Sequence, residues 1–330
     1  MASAAQSTET ERLNEIFNGL KNSNADIRLR SAEDLQRFAS TIAILLLPQF
    51  MICMQVSESM PEMSYDTASK LWDDNINRRL FELTHSQNVV EAFGGLLAIE
   101  KLIDIEREEN LEPKRNLFRF YNYAKHLLPN PDIDLMLAAS TTLGQITKIG
   151  GPAFGERFLD FEVPAAVDLM QPEKPDSPRY AGTLILKEFA RNNPYFYSHI
   201  GMVFDNILAP LSDQSVLVRE GAAELLAACL EIVTQRERQA WTLYLSKILQ
   251  GAQNGLKQAQ PEVVHGSLLI YRELLLHAGT FMKENSVDTA DQILRFKTHA
   301  DPLVRETVET IIPSLAGYDG HPPLANSSAA

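Results

Sequence analysis

Apolar residues recur at three- and four-residue intervals along almost the whole chain, and no segment sustains the apolar–polar alternation of a strand. The first pattern lines up apolar side chains on one face of a helix, so the sequence predicts an all-α protein. Over residues 216–233 the apolar face is wide and charge is confined to a few positions. That suits a helix packed between two neighbours rather than one lying on a solvated surface. Breakers fall between the helical stretches. Gly150-Gly151-Pro152 reads as a glycine stop followed by a proline start. The proline-rich residues 172–178 read as a loop, and Pro129, Pro131, Pro194, Pro210, Pro261, Pro302 and Pro313 mark further boundaries.

The same skeleton returns along the chain. Residues 130–140, 213–223 and 299–305 each begin with a polar turn residue, followed by apolar positions at helical spacing; the first two then carry small residues. The turns near Asn88, Asn130, Asp176, Asp213, Pro261 and His299 lie about 37 to 48 residues apart. This period predicts an α-solenoid of HEAT/armadillo-like helix pairs, whose units run to about 40–47 residues. Asp213 is expected to accept backbone N–H groups at the start of the second helix of its pair. Arg219, six residues on, is expected to build an Asp–Arg ladder with neighbouring repeats. The units are degenerate: Met136 stands where Arg219 stands, and His299 where Asp213 stands. Gly94-Gly95, Ala138-Ala139, Ala181-Gly182, Gly221-Ala222 and Gly266-Ser267 recur in the first turns of second helices, where small side chains let helices approach closely.

Charge and motif content then narrow the function. Acidic side chains outnumber basic ones 43 to 30, a net charge of -13 that repels phosphate backbones, so nucleic acid is not an expected partner. Two cysteines, Cys53 and Cys229, make neither a disulfide framework nor a zinc site, which fits a reducing, intracellular setting. The apolar run over residues 42–54 is shorter than the ~20 residues a membrane helix needs and is interrupted by Pro48-Gln49, so no membrane insertion is expected. Residues 1–12 are polar and do not read as a secretory signal. No nucleotide loop, metalloprotease helix or CxxC pair occurs, and residues 150–155 read as a helix–helix turn rather than a phosphate loop. No catalytic, cofactor or metal residue is therefore assigned. Two blocks remain distinctive. In residues 71–84, Trp72, Ile76, Leu80 and Leu83 follow the spacing of a buried stripe beside Arg78 and Arg79, and residues 116–123 hold Phe118, Phe120 and Tyr121. Aromatic and arginine groups of this kind anchor protein partners, but they serve equally as packing between repeats, which is the reading preferred here.

These blocks, WDDNINRRLFELTHS at 72–86, GGLLAIE at 94–100, NLEPKRNLFRFYNY at 110–123, AFGERF at 153–158 and VREGAAELLAACL at 218–230, resemble the extreme N-terminus of target of rapamycin (TOR) kinases, most closely the fungal forms. The resemblance covers roughly residues 10–40 and 62–318. It implies a HEAT array that docks a Raptor-type scaffold subunit, with a second TOR protomer as a further partner, in nutrient and growth signalling. It also implies a serine/threonine kinase whose ATP- and Mg-binding domain lies elsewhere in the parent protein, with no catalysis in these residues. A cytoplasmic setting is implied, with endomembrane surfaces or the nucleus as further locations. The alternative is a free-standing HEAT adaptor of the transport-receptor or phosphatase-scaffold type. The expected organisation is a disordered stretch over 1–9, an array over 10–318 with a foreign insertion about 42–61, and a disordered or non-native tail over 319–330.

Overall fold

A computed structural model describes residues 2–46, 65–108, 116–236, 238–285 and 289–318, and every regular element among them is helical. The chain divides into two compact units, Met1–Phe154 and Gly155–Ala330. The first holds α1 (Ala2–Leu20), α2 (Ala25–Leu46), α3 (residues 65–84), α4 (Val89–Glu108), α5 (Leu117–His126) and α6 (Ile133–Gly150). The second holds α7 (Glu156–Leu169), α8 (Asp176–Asn192), the short α9 (Ile200–Asn206) and α10 (Leu208–Leu211), α11 (Val216–Gln235), α12 (Arg238–Gly255) and α13 (Pro261–His277). It ends with α14 (Gly279–Asn285), α15 (Thr289–Leu294) and α16 (Pro302–Tyr318).

Each unit is a stack of antiparallel helix pairs of the predicted type. The second helix of a pair packs on its own partner and on the second helices either side of it: α2 on α4 and α4 on α6 in the first unit, and α8, α11, α13 and α16 in succession in the second. A helix with neighbours on several sides has little solvated face, and α8 shows the extreme case, with every residue from Arg179 to Ala190 buried. The small residues make this stacking possible. A Cβ on Gly266 would lie 1.6 Å from the Leu211 carbonyl oxygen, and one on Gly94 would lie 2.0 Å from that of Leu20. In both cases a second helix rests on the last turn of the preceding repeat's first helix. Gly151 has φ +52, a left-handed conformation that glycine adopts without cost. It stops α6, and Pro152 opens the short 3-10 turn Gly151–Phe154.

Two expected boundaries move. Helix α1 begins at Ala2, inside the stretch expected to be disordered; residues 2–9 include three alanines and no glycine or proline, a composition that favours helix. Residues 42–46 continue α2, with Ile42 and Ala43 buried, so the apolar run starts within the fold. The residues expected to form the array, 10–318, are shared between the two units, whose division falls just after the break at Gly151-Pro152. Residues 47–61, Cys53 and the tail over 319–330 lie outside the described residues.

Candidate protein-interaction surfaces

The turn ahead of the second helix is built the same way in four repeats. Asn22 Oδ1 accepts from Asn24 N at 2.9 Å, Asn130 Oδ1 from Asp132 N at 2.9 Å, Asp213 Oδ1 from Ser215 N at 2.8 Å, and His299 Nδ1 from Asp301 N at 3.1 Å. The imidazole of His299 thus does what the Asp213 carboxylate does, as the alignment of the two positions implies. Asp213 itself closes the turn two residues ahead of the helix, whose N-cap is Ser215, and so does not cap the helix directly. Six residues on, an arginine folds back over the loop. Nη1 of Arg28 donates to the carbonyls of Asn22 and Ser23 at 2.8 and 2.9 Å. Arg219 does the same to Asp213 and Gln214 at 2.6 and 3.0 Å, and Arg305 to His299 and Ala300 at 2.6 and 2.7 Å. Met136 breaks this series, as expected.

The inter-repeat ladder exists, but its partners differ from those expected. Asp213 is held by Arg179 of the preceding repeat: Nε donates to Oδ2 at 2.6 Å and Nη2 to Oδ1 at 2.8 Å, with the two side chains only 10% and 7% exposed. This bidentate bond raises the Arg179 pKa further. Arg219 passes the ladder on, its Nε donating to Nδ1 of His265 at 2.9 Å in the next second helix. Because Nδ1 accepts, the His265 ring carries its proton on Nε2, which faces Glu220 Oε1 at 3.7 Å. Burial, reinforced by the charges of Arg219 and Arg272, pushes the His265 pKa down to about 4. Neither Arg179 nor His265 stood out in the sequence. Arg179 could have been found, since it lies four residues after the N-cap Pro175 as Arg219 lies four after Ser215.

The distinctive block over 71–84 is a packed helix. Trp72, Ile76, Leu80 and Leu83 are all buried. The helix widens into a π turn over Leu71–Asn77, which interrupts α3 between Tyr65–Lys70 and Arg78–Thr84. Trp72 Nε1 and Asn77 Oδ1 are buried without a hydrogen-bond partner among the described residues. Arg79 donates to Asn14 Oδ1 and covers the Phe17 ring at 5.2 Å, a packing role within the unit. Arg78 is exposed and pairs loosely with Glu82 at 3.8 Å. In the aromatic block, Phe120 and Tyr121 are buried, whereas Phe118 is 43% exposed and stacks on Phe154 at 4.6 Å. Beside them runs an outward aromatic row: Phe81 stacks on His85 at 3.8 Å, and His85 on His126 at 3.9 Å. Of the eight candidate residues, Arg78 and Phe118 are exposed and Arg79 is half-buried. Trp72, Phe120, Tyr121, Asp213 and Arg219 are spent on packing and on the ladder.

Nothing in this arrangement assembles a reaction centre among the described residues. Among the described residues, no group of three or more His, Cys, Asp or Glu side chains could hold a metal, and no helix is long and apolar enough to cross a membrane. Cys229 is fully buried, and burial pushes its thiol pKa up, away from reactivity. The other ionisable groups that are buried in the second helices also have partners: Lys187 donates to Glu224 at 2.8 Å, Glu188 accepts from Asn192 at 2.9 Å, and Glu273 accepts from Arg272 at 2.6 Å.

No protein-family model matches the chain. It is 35% identical over 306 residues to serine/threonine-protein kinase tor1 of Schizosaccharomyces pombe, covering 92% of this chain and 12% of that protein. It is 29% identical over 321 residues to serine/threonine-protein kinase TOR2 of Saccharomyces cerevisiae, covering 94% of this chain and 12% of that protein. A plant relative, serine/threonine-protein kinase TOR of Arabidopsis thaliana, is 30% identical over 266 residues. The chain therefore spans about 12% of the length of the fungal relatives it matches. Among solved structures, yeast importin-beta (Kap95p) superimposes with a TM-score of 0.55 at 16% identity, covering 97% of this chain and 37% of that one. Kap121p gives 0.52 at 14% identity over 96% of this chain and 34% of its own. These likenesses establish a shared helical-repeat fold.

Proposed function

The chain belongs to the family of TOR serine/threonine-protein kinases, as a helical-repeat segment of their N-terminal region, and from that premise we propose that it is a protein-interaction scaffold which docks a Raptor-type subunit in nutrient and growth signalling. The observation that carries this reading is the 35% identity running across 92% of the chain, over a fold whose buried charges are consumed by packing between repeats. The kinase activity of the relatives, with its ATP and Mg, belongs in this proposal to another part of the parent protein. Action in the cytoplasm, on endomembrane surfaces or in the nucleus is part of the same reading. Arg78 and Phe118, with the outward row Phe81–His85–His126, are the surface of the first unit most suited to the partner. Aromatic and arginine side chains at an interface contribute more than their share of binding energy.

The test is co-purification of the tagged chain with the Raptor-type subunit of the same organism, both expressed in full. Capture is expected with the wild-type chain. It should fall about tenfold with Arg78→Glu combined with Phe118→Ser, a loss of ~1.4 kcal/mol. Equal recovery of the subunit on an unrelated helical-repeat protein would refute the docking role.

A further inference from the structure

Among the described residues most exposed apolar side chains are scattered, but three in the second unit are periodic. Phe161 in α7, Met202 in α9 and Leu243 in α12 follow one another at steps of 41 residues. They are 74%, 40% and 78% exposed, and Phe161 and Leu243 are the most exposed large apolar residues described. All three sit on first helices of successive pairs, and contacts between those helices fix their alignment. His199 Nε2 lies 3.1 Å from Asp160 Oδ1, which places the chain just before Met202 beside Phe161. A Cβ on Gly201 would meet the Tyr244 hydroxyl at 3.0 Å, and Lys247 Nζ reaches Asp205 Oδ1 at 2.7 Å. The first contact lies one residue before Met202 and one after Leu243, and the second three after Met202 and four after Leu243, so the two stand at nearly the same level of neighbouring helices, and the three apolar side chains follow one another, a residue per repeat, across the helices.

We propose that this row is a docking ridge for an amphipathic α-helix of a partner protein, laid across α7, α9 and α12. Packed helices lie about 8–10 Å apart. An α-helix rises about 10.5 Å in seven residues, at ~1.5 Å each. A partner helix with apolar residues at i, i+7 and i+14 therefore meets one ridge residue per repeat. Charge selects the flank over α7, which carries Glu156, Asp160, Glu162 and Asp168 against the single Arg157 in a chain of net charge -13, whereas α12 carries Arg238 and Lys247 and no acid. Basic residues beside the apolar seam complement that edge, which also explains a row of bulky apolar groups left in water on an otherwise polar face. The ridge stands independently of the family reading: it is in the second unit, shares no residue with the Arg78–Phe118 surface, and takes a different experiment.

The probe is a synthetic 21-residue helix with leucines at every seventh position flanked by lysines, against a control of the same composition with the leucines off that spacing. Binding to the full chain is read by fluorescence anisotropy, and the contacted helices by amide exchange. The heptad peptide should bind at least about tenfold tighter than the control. It should slow exchange in α7, α9 and α12, and weaken about tenfold with Phe161→Ser combined with Leu243→Ser, while the thermal melt of that exposed-site variant stays unchanged. Equal binding of the two peptides, or undiminished binding by the double variant, overturns the proposal. So does a concentration-dependent dimer that the double variant abolishes, because the ridge would then be covered by a second copy of this chain.

Discussion

Removing the Asp213 carboxylate should destabilise the second unit by an amount that separates the ladder from the turn. Asp213→Ala takes away the two carboxylate oxygens that Arg179 grips and the acceptor of the Ser215 N–H. The guanidinium is then left 10% exposed, with only Asp176 at 2.9 Å and the Lys174 carbonyl. Breaking a buried ion pair by deleting one partner costs about 3–5 kcal/mol. Because two acceptors remain for Arg179, the lower end, about 3 kcal/mol, is expected. Asp213→Asn keeps an oxygen for the Ser215 N–H but loses the charge, and should cost ~1–2 kcal/mol. With Arg179→Met as the other single change, a double-mutant cycle should give a coupling of about 2 kcal/mol, within the range for residues in direct contact. Urea denaturation followed by both far-UV circular dichroism and tryptophan fluorescence supplies the free energies, two probes being needed because repeat arrays can lose cooperativity. A cost for Asp213→Ala below ~0.5 kcal/mol, the ordinary surface value, would refute the reasoning, as would additive single costs.

The remaining predictions concern packing and pH. Gly266→Ala places a Cβ 1.6 Å from the Leu211 carbonyl oxygen, which cannot yield as a flexible side chain would, so a loss of about 1–3 kcal/mol is expected in the same denaturation assay. Ala222 is fully buried between second helices, and Ala222→Leu should overpack that junction by ~1–3 kcal/mol; an unchanged thermal melt would contradict the register. His265 titrates at about 4 in the folded chain and near ~6.5 when unfolded, so between those values only the unfolded state binds the proton. Its contribution, about 3 kcal/mol, is therefore fully present above ~6.5 and is lost as pH falls towards 4. Glu188 and Glu273, pushed up by burial, act in the opposite sense, so the measurement is the difference in stability between wild type and His265→Asn from pH 4 to 7. That variant keeps an acceptor for Arg219 without the titration, and a constant difference across the range would refute the assignment.

The sequence by itself determined the helical character of the chain and most of the breaks between helices, because those depend on signals within one or two turns. The spacing of Trp72, Ile76, Leu80 and Leu83 announced a buried stripe, Gly151-Pro152 announced the break, and the glycines at 94, 221 and 266 announced close approach. The equivalence of Asp213 and His299 was legible too, since both serve the local turn. Only the tertiary structure decided what joins one repeat to the next. Arg179 lies 34 residues from Asp213, and Arg219 lies 46 from His265, distances at which no periodicity says which of several arginines arrives. Nor could spacing distinguish Phe120, buried, from Phe118, open, or show that Phe161, Met202 and Leu243 share a line in water. A helical face records only that it is apolar; whether a neighbouring helix covers it depends on how the pairs stack, a property of contacts between residues distant in the chain.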